Sequence, residues 1–265
     1  MKRILAILFC TTLAINIFAQ EQMVIMTQIL PQNDTVWVFK PKDYRDIRNY
    51  PVVYMLHGWS GNYKQWNQIT NLQQYADDNG FIIVCPDGLY DSWYVDSPIK
   101  PNQKWETFFL DNLMPEVKQK YNVNDSAIFI TGLSMGGHGA LLMFLKHQKL
   151  FKSAGSCSGV VDLRVAAKGD VGVKQTFGEL KQNAKTYSEF SVIDNINSLV
   201  RSNKQIIFDC GTEDHLYGIN NELRKKCDEL KIKATYISSP GEHNYEYWKK
   251  AIHLQMEFFK QQIGR

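Results

Sequence analysis

The chain reads as an α/β protein on a mostly parallel, doubly wound sheet with helices on both faces. Three observations carry that reading. Short apolar runs at 52–56 (VVYML), 81–85 (FIIVC), 127–131 (AIFIT) and 206–210 (IIFDC) are continuous rather than alternating, as strands buried on both faces require. Stretches of helical spacing separate most of them, and that alternation implies βαβ units. Turn signals at Asn79-Gly80 and Pro86-Asp87-Gly88 punctuate the rhythm.

Taken in order, 23–30 and 35–39 read as strands parted by the turn-forming Pro31-Gln32-Asn33-Asp34. The strand at 52–56 precedes a helix over 69–78, and the strand at 81–85 precedes a helix over 105–121 with Phe108, Phe109, Leu113 and Val117 on one side. The strand at 127–131 leads into a helix over 134–147. Residues 153–158, 206–210 and 234–237 supply three more strands, and 222–230 and 245–262 the last helices. Two segments break the pattern: the aromatic loop 88–104, with Tyr90, Trp93 and Tyr94, and the poorly periodic 161–192. Long connections of this kind often build a site rather than a scaffold.

The N-terminus is a different material. Lys2 and Arg3 precede an apolar stretch that ends near Phe18-Ala19-Gln20, the pattern of a secretory signal peptide over 1–20. The stretch is too short and interrupted for a membrane span. Residues 21–265 then form one catalytic domain, exported to the periplasm or beyond. Of 265 residues, 44% are hydrophobic and 22% charged, which suits a single packed domain. Losing Lys2 and Arg3 takes the formal charge from +3 to +1, with no basic run, so neither nucleic acid nor an anionic membrane is expected as partner. Cys85, Cys157, Cys210 and Cys227 remain; they contain no CxxC, and their pairing is left open.

Gly132-Leu133-Ser134-Met135-Gly136 follows a strand and opens a helix. GxSxG in that context is a nucleophile elbow, the signature of the α/β-hydrolase fold. The glycines permit a strained turn that lifts the Ser134 hydroxyl above the sheet. A hydroxyl needs a base, and in this fold the chain order is Ser, acid, His. His138 and His147 ride the helix behind Ser134, and His253 falls within a helical stretch. His243, in the loop after the last strand, is therefore the base. Asp214, just past the strand at 206–210, is the leading acid; Asp209 lies inside that strand, and neighbouring Glu213 stays open as an alternative. Backbone N–H groups of Met135 and Trp59 are the expected oxyanion donors, the second from His57-Gly58-Trp59-Ser60-Gly61. His57 precedes the serine and is read as a brace for that loop. The Trp59 indole, Tyr90, Trp93 and Tyr94 are candidate substrate contacts by stacking, with core packing as the alternative. No metal cluster and no nucleotide loop is present in the pattern, so no cofactor is implied.

Leu56-His57-Gly58, Pro86-Asp87-Gly88, Asp91-Ser92-Trp93-Tyr94, Gly132-Leu133-Ser134-Met135-Gly136-Gly137, Cys210-Gly211-Thr212-Glu213-Asp214 and Gly241-Glu242-His243 occur in that order. The ordered set resembles the esterase family that includes esterase D (S-formylglutathione hydrolase), feruloyl and acetyl-xylan esterases, and mycolyltransferases. The resemblance runs from about Val36 to the C-terminus. It implies a serine ester hydrolase working through an acyl-serine on a small or carbohydrate-linked acetyl or feruloyl ester. An acyltransferase of the same fold, or an inactive binding protein on that scaffold, are the alternatives.

Overall fold

The structure is a computed structural model that describes residues 20–169 and 172–263. Eight strands form one sheet in the order β1-β2-β4-β3-β5-β6-β7-β8. They are β1 (Gln20–Ile25), β2 (Asp34–Phe39), β3 (Tyr50–Leu56), β4 (Ile82–Pro86), β5 (Val123–Gly132), β6 (Ser153–Cys157), β7 (Gln205–Gly211) and β8 (Ala234–Ser239). From β4 to β8 every neighbouring pair is parallel, and an antiparallel hairpin of β1 and β2 finishes the β4 edge. The α/β class and the mostly parallel sheet are as the sequence predicts. The leader expected over 1–20 lies outside the described residues except for Gln20, which opens β1 opposite Phe39. Among the described residues no helix is long and apolar enough to cross a membrane.

The continuous apolar runs follow from two covered faces. Val52, Tyr54 and Leu56 of β3 point into one core and Val53 and Met55 into the other. The first core holds the helices Met135–Lys146 and Tyr217–Glu229 and the helical run 105–120. The second holds Leu72–Asn79 and the long Tyr245–Gln262, through Trp248, Ile252, Met256 and Phe259.

Several boundaries differ from expectation for identifiable reasons. The helix expected over 69–78 is two pieces, Gln65–Ile69 and Leu72–Asn79, because the Asn71 side chain caps the second by accepting from Gln74 N–H at 3.2 Å. Within 105–120, Phe109–Leu113 widens to a π-turn just before Pro115, which has no N–H to donate to the preceding turn. The first strand stops at Ile25, five residues short of the apolar pattern. Segment 161–192 proves to be short helices, Leu163–Gly169, Val173–Phe177 and Ala184–Phe190, with Val192–Asn195 beyond. Each is too short to print a period. Cys85, Cys157, Cys210 and Cys227 are all free and buried. Burial pushes the Cys227 thiol up to about 12, so these thiols behave as small core side chains.

Candidate active site

Ser134 sits between β5 and the helix Met135–Lys146 with φ +53°, a conformation that side chains rarely adopt. Its neighbours make that turn possible. A Cβ on Gly132 would meet the Gly136 carbonyl oxygen at 2.4 Å, and one on Gly136 would meet the Leu56 carbonyl oxygen at 2.3 Å. Both positions therefore exclude any other residue. The turn is pinned to the sheet by Ser134 N–H donating to the Cys157 carbonyl at 2.9 Å.

Two further loops at the carboxyl ends of strands bring partners to that hydroxyl. After β8, His243 places Nε2 2.9 Å from Ser134 Oγ. After β7, Asp214 places Oδ2 2.8 Å from His243 Nδ1. The carboxylate's other oxygen accepts from Leu216 N–H at 2.8 Å. Burial by itself would raise the Asp214 carboxyl. The His243 hydrogen bond and charge and the Leu216 N–H outweigh it and hold the group below its usual range. Asp214 is thus ionised at neutral pH, and its acceptor position selects the tautomer with the proton on Nδ1. His243 Nε2 is then free to accept from Ser134. The imidazole is packed edge-on against Trp248, with centroids 4.9 Å apart, and against His215, 4.7 Å away.

Glu213 does different work. Its carboxylate accepts from Gly241 N–H, and its own N–H donates to the Gly241 carbonyl at 3.1 Å. It clamps the two loops together. Asp209, inside β7, accepts from Gln255 at 2.6 Å in a buried network that also reaches Thr131 and Cys157. Burial, followed by the Asp214 charge, pushes its carboxyl up to about 7 against the hydrogen bonds that oppose this.

Two backbone amides, one directly after Ser134 and one in the loop after β3, have no acceptor among the described residues. Ser134 N–H is taken by Cys157 and Gly136 N–H by Leu133 at 2.7 Å, while Met135 N–H, between them, meets no acceptor among the described residues. In the facing loop, Gly58 N–H is taken by the Gln65 side chain at 2.8 Å and Ser60 N–H by Tyr90 at 2.9 Å. Trp59 N–H, between those two, is likewise unengaged among the described residues. His57 braces this loop, as its place in the chain suggests. Nδ1 donates to the Gly58 carbonyl at 2.7 Å, and Nε2 accepts from Gly88 N–H at 2.6 Å.

A cavity of about 280 Å³ opens at Ser134, walled largely by Leu133, Val160, Val165, Ala166, Leu216 and Trp248. Trp59 and Trp93 also line it. Trp59 is 36% exposed, whereas Trp93 is buried. Tyr90 stands outside, 59% exposed, with its ring edge-on to Trp59 at 5.0 Å. Tyr94 corrects the sequence-based set of substrate contacts. It is buried, its hydroxyl donates to the His57 carbonyl at 2.8 Å, and its ring packs on Trp105. It supports the loop from inside the core. Sequence reasoning missed Val160, Val165, Ala166, Leu216 and Trp248, because an apolar side chain on a cavity wall carries the same signal as one in the core.

Asp214, His215 and His243 present ligand atoms within 4.8 Å of one another, the spacing of a metal cluster. Both His243 nitrogens and Asp214 are already committed along the line to Ser134, so a metal would have to break that line. His138 is buried under the elbow and meets the Phe190 carbonyl at 2.8 Å; burial lowers it to about 4, and it stays neutral.

Comparison with known proteins bears on the family and the fold. A family model described as "Putative esterase" matches residues 27–259. An acetyl esterase of Caldicellulosiruptor saccharolyticus is 24% identical over 247 residues, covering 85% of this chain and 92% of that protein. The diacylglycerol acyltransferase/mycolyltransferase Ag85A of Mycobacterium tuberculosis is 24% identical over 254 residues, covering 82% of this chain and 75% of the relative. Among solved structures, the fluorophosphonate-binding serine hydrolase FphF of Staphylococcus aureus superposes with a TM-score of 0.79 at 20% identity, over 91% of this chain and 98% of that one. That last likeness is one of fold.

Proposed function

Starting from a chain that belongs to the "Putative esterase" family of carboxylic ester hydrolases, we propose that Ser134, His243 and Asp214 are its catalytic residues and that it cleaves a small acyl ester through an acyl-Ser134 intermediate. The observation that carries this is the unbroken hydrogen-bonded line Asp214–His243–Ser134 ending at an apolar cavity.

In the first half-reaction Ser134 Oγ attacks the ester carbonyl carbon while His243 Nε2 takes its proton. The imidazolium that forms is stabilised by Asp214. Charge collects on the former carbonyl oxygen, for which the Met135 and Trp59 N–H groups are the donors. The C–O bond to the alcohol breaks, and His243 returns the proton to the departing oxygen. Water then repeats the sequence on the acyl-serine and releases the acid. The apolar cavity receives the acyl group, and its modest volume suits a short chain such as acetyl. A bulkier feruloyl group is the alternative acyl, reaching along Trp59 and Trp248.

The resemblance to an acetyl esterase supports hydrolysis, and the resemblance to Ag85A keeps transfer to a hydroxyl acceptor as the second reading. Lys2, Arg3 and the apolar stretch behind them support export, with the ester met outside the cytoplasm. The deciding experiment is hydrolysis of p-nitrophenyl esters of increasing chain length, and of methyl ferulate, by the wild type and Ser134→Ala. Ser134-dependent release establishes the hydrolase and its acyl preference. No release from any of them, with the fold intact, moves the assignment to acyl transfer.

A further inference from the structure

Two peptide units meet at Gly58, and hydrogen bonds fix each of them. In the unit joining His57 to Gly58, the carbonyl accepts from the Tyr94 hydroxyl at 2.8 Å and the N–H donates to Gln65 Oε1 at 2.8 Å. In the unit joining Gly58 to Trp59, the carbonyl accepts from His57 Nδ1 at 2.7 Å and from Gly61 N–H at 3.0 Å. Its other end, the Trp59 N–H, meets no acceptor among the described residues. A peptide unit is planar and trans, so fixing the carbonyl fixes the direction of the N–H on the opposite side.

Gly58 is the joint between these two planes. A Cβ there would lie 2.5 Å from Leu133 Cδ1 and 3.6 Å from Ser134 Cβ, so the loop runs directly beside the nucleophile elbow. Glycine lets both planes rotate at little steric cost, and their hydrogen bonds are what resist it. His57 and Gly61 belong to the loop itself, whereas Gln65 comes from the next element. It opens the helix Gln65–Ile69, and its neighbour Trp66 donates its indole N–H to the Leu56 carbonyl at 2.9 Å. Successive side chains thus fasten the loop to this helix on either side of His57. The Gln65 amide also lies against Gly61, where a Cβ would sit 2.6 Å from Oε1, and its Nε2 donates to the Tyr245 hydroxyl at 3.4 Å. Gln65 therefore bridges the loop after β3 and the start of the helix Tyr245–Gln262, just past His243.

We infer that Gln65 is a positioning residue for the reaction: by taking the Gly58 N–H it holds the joint at Gly58 so that the Trp59 N–H faces the charge developing on the ester oxygen. It makes no bond to the reacting atoms itself. The inference rests on the hydrolase reading and deepens it, naming a side chain outside the triad on which the oxyanion site depends.

Gln65→Met keeps the length of the side chain and a good helix former, and it removes the acceptor. On p-nitrophenyl acetate, kcat should fall about thirtyfold with KM within about twofold, a smaller loss than the roughly 10²–10³ of deleting an oxyanion donor outright. A short-chain trifluoromethyl ketone supplies a readout that a merely structural role would not move. Ser134 Oγ adds to its carbonyl carbon, the π pair moves onto the oxygen as an alkoxide, and the hydroxyl proton passes to His243. Its affinity should fall by the same factor, while the matching methyl ketone, which binds without adding, should change by less than about twofold. Should Gln65→Met melt below the assay temperature, Gln65→Asn, whose amide is one methylene shorter, repeats the comparison. Unchanged kcat and trifluoromethyl ketone affinity, or equal losses for both ketones, overturn the inference, and Ser134-dependent turnover by the wild type leaves the hydrolase reading standing. A wild type that neither cleaves the ester nor binds the trifluoromethyl ketone overturns that reading, and the inference with it.

Discussion

Glu213 and Gly241 exchange two hydrogen bonds, carboxylate to N–H and N–H to carbonyl, and so lock the loop after β7 to the loop after β8. Asp214 follows Glu213 directly, and His243 lies two residues past Gly241. The clamp thus sets the distance over which the acid meets the base. A Cβ on Gly211 would lie 2.0 Å from the Gly241 carbonyl oxygen, so the approach also depends on a glycine there.

The two adjacent acids should separate in kinetics. Glu213→Ala is expected to lower kcat about tenfold by loosening the loops, with Glu213→Gln restoring most of it through its amide oxygen. Asp214→Asn is expected to cost on the order of 10³–10⁴ by losing the anion that selects the tautomer. Steady-state rates on p-nitrophenyl acetate check both. Equal damage from Glu213→Ala and Asp214→Asn would remove the distinction.

Ser134→Ala should abolish covalent labelling by a fluorophosphonate probe and reduce turnover by at least about 10⁴. Its thermal melt should stay near that of the wild type, since the residue at φ +53° is exchanged for another with the same backbone demand. Residual labelling at another serine would relocate the nucleophile.

Ala166 is small and lines the cavity at Ser134, where the proposed acyl group would sit. Ala166→Leu should therefore discriminate against long acyl chains, raising the acetate-to-hexanoate ratio of kcat/KM by about tenfold. A uniform fall across chain lengths would show that the acyl group does not lie against it.

Asp209 supplies a pH dependence whose sign is fixed by its environment. Its folded carboxyl is raised from about 3.8 to about 7, so the native state favours the protonated form. That contribution is complete below about 3.8, fades between the two values, and is gone above 7. Asn is neutral throughout and can still accept from Gln255. Asp209→Asn should match the wild type near pH 4 and melt roughly 5 °C higher at pH 8. A Tm difference independent of pH would mean that Asp209 does not titrate in this range.

Glu21, which links β1 to Lys40, Lys120 and Tyr121, predicts the opposite trend. Burial opposes its ionisation, but the two ammonium groups and the Tyr121 hydroxyl lower it to about 2. Its contribution is present above about 4.5 and lost as pH falls toward 2. The stability gap between wild type and Glu21→Gln should close over that acid range in chemical denaturation.

Much of this molecule was written locally. GxSxG between a strand and a helix can be read because the elbow's steric demand falls on residues within two positions of Ser134. The strands could be located because β3, β4 and β7, and β5 from Ala127 onward, are buried on both faces and so carry mostly apolar side chains. His243 and Asp214 could be ordered because parallel strands place their carboxyl-end loops on one rim. That same rule could not choose firmly between Asp214 and Glu213. The choice depends on which way adjacent side chains point, and only the clamp on Gly241 decides it.

The sequence by itself determined the class of sheet, the elbow and the chain order of Ser134, Asp214 and His243, because each is a matter of short-range sterics or of periodicity. The tertiary structure alone decided the walls. Tyr94 turns into the core while Tyr90, four residues earlier, stays in solvent, and the short helix Leu163–Gly169 brings Val165 and Ala166 to the cavity at Ser134. Aromatic and aliphatic side chains have no preference between a core and a cavity. What assigns them is the packing of loops that are distant in the chain.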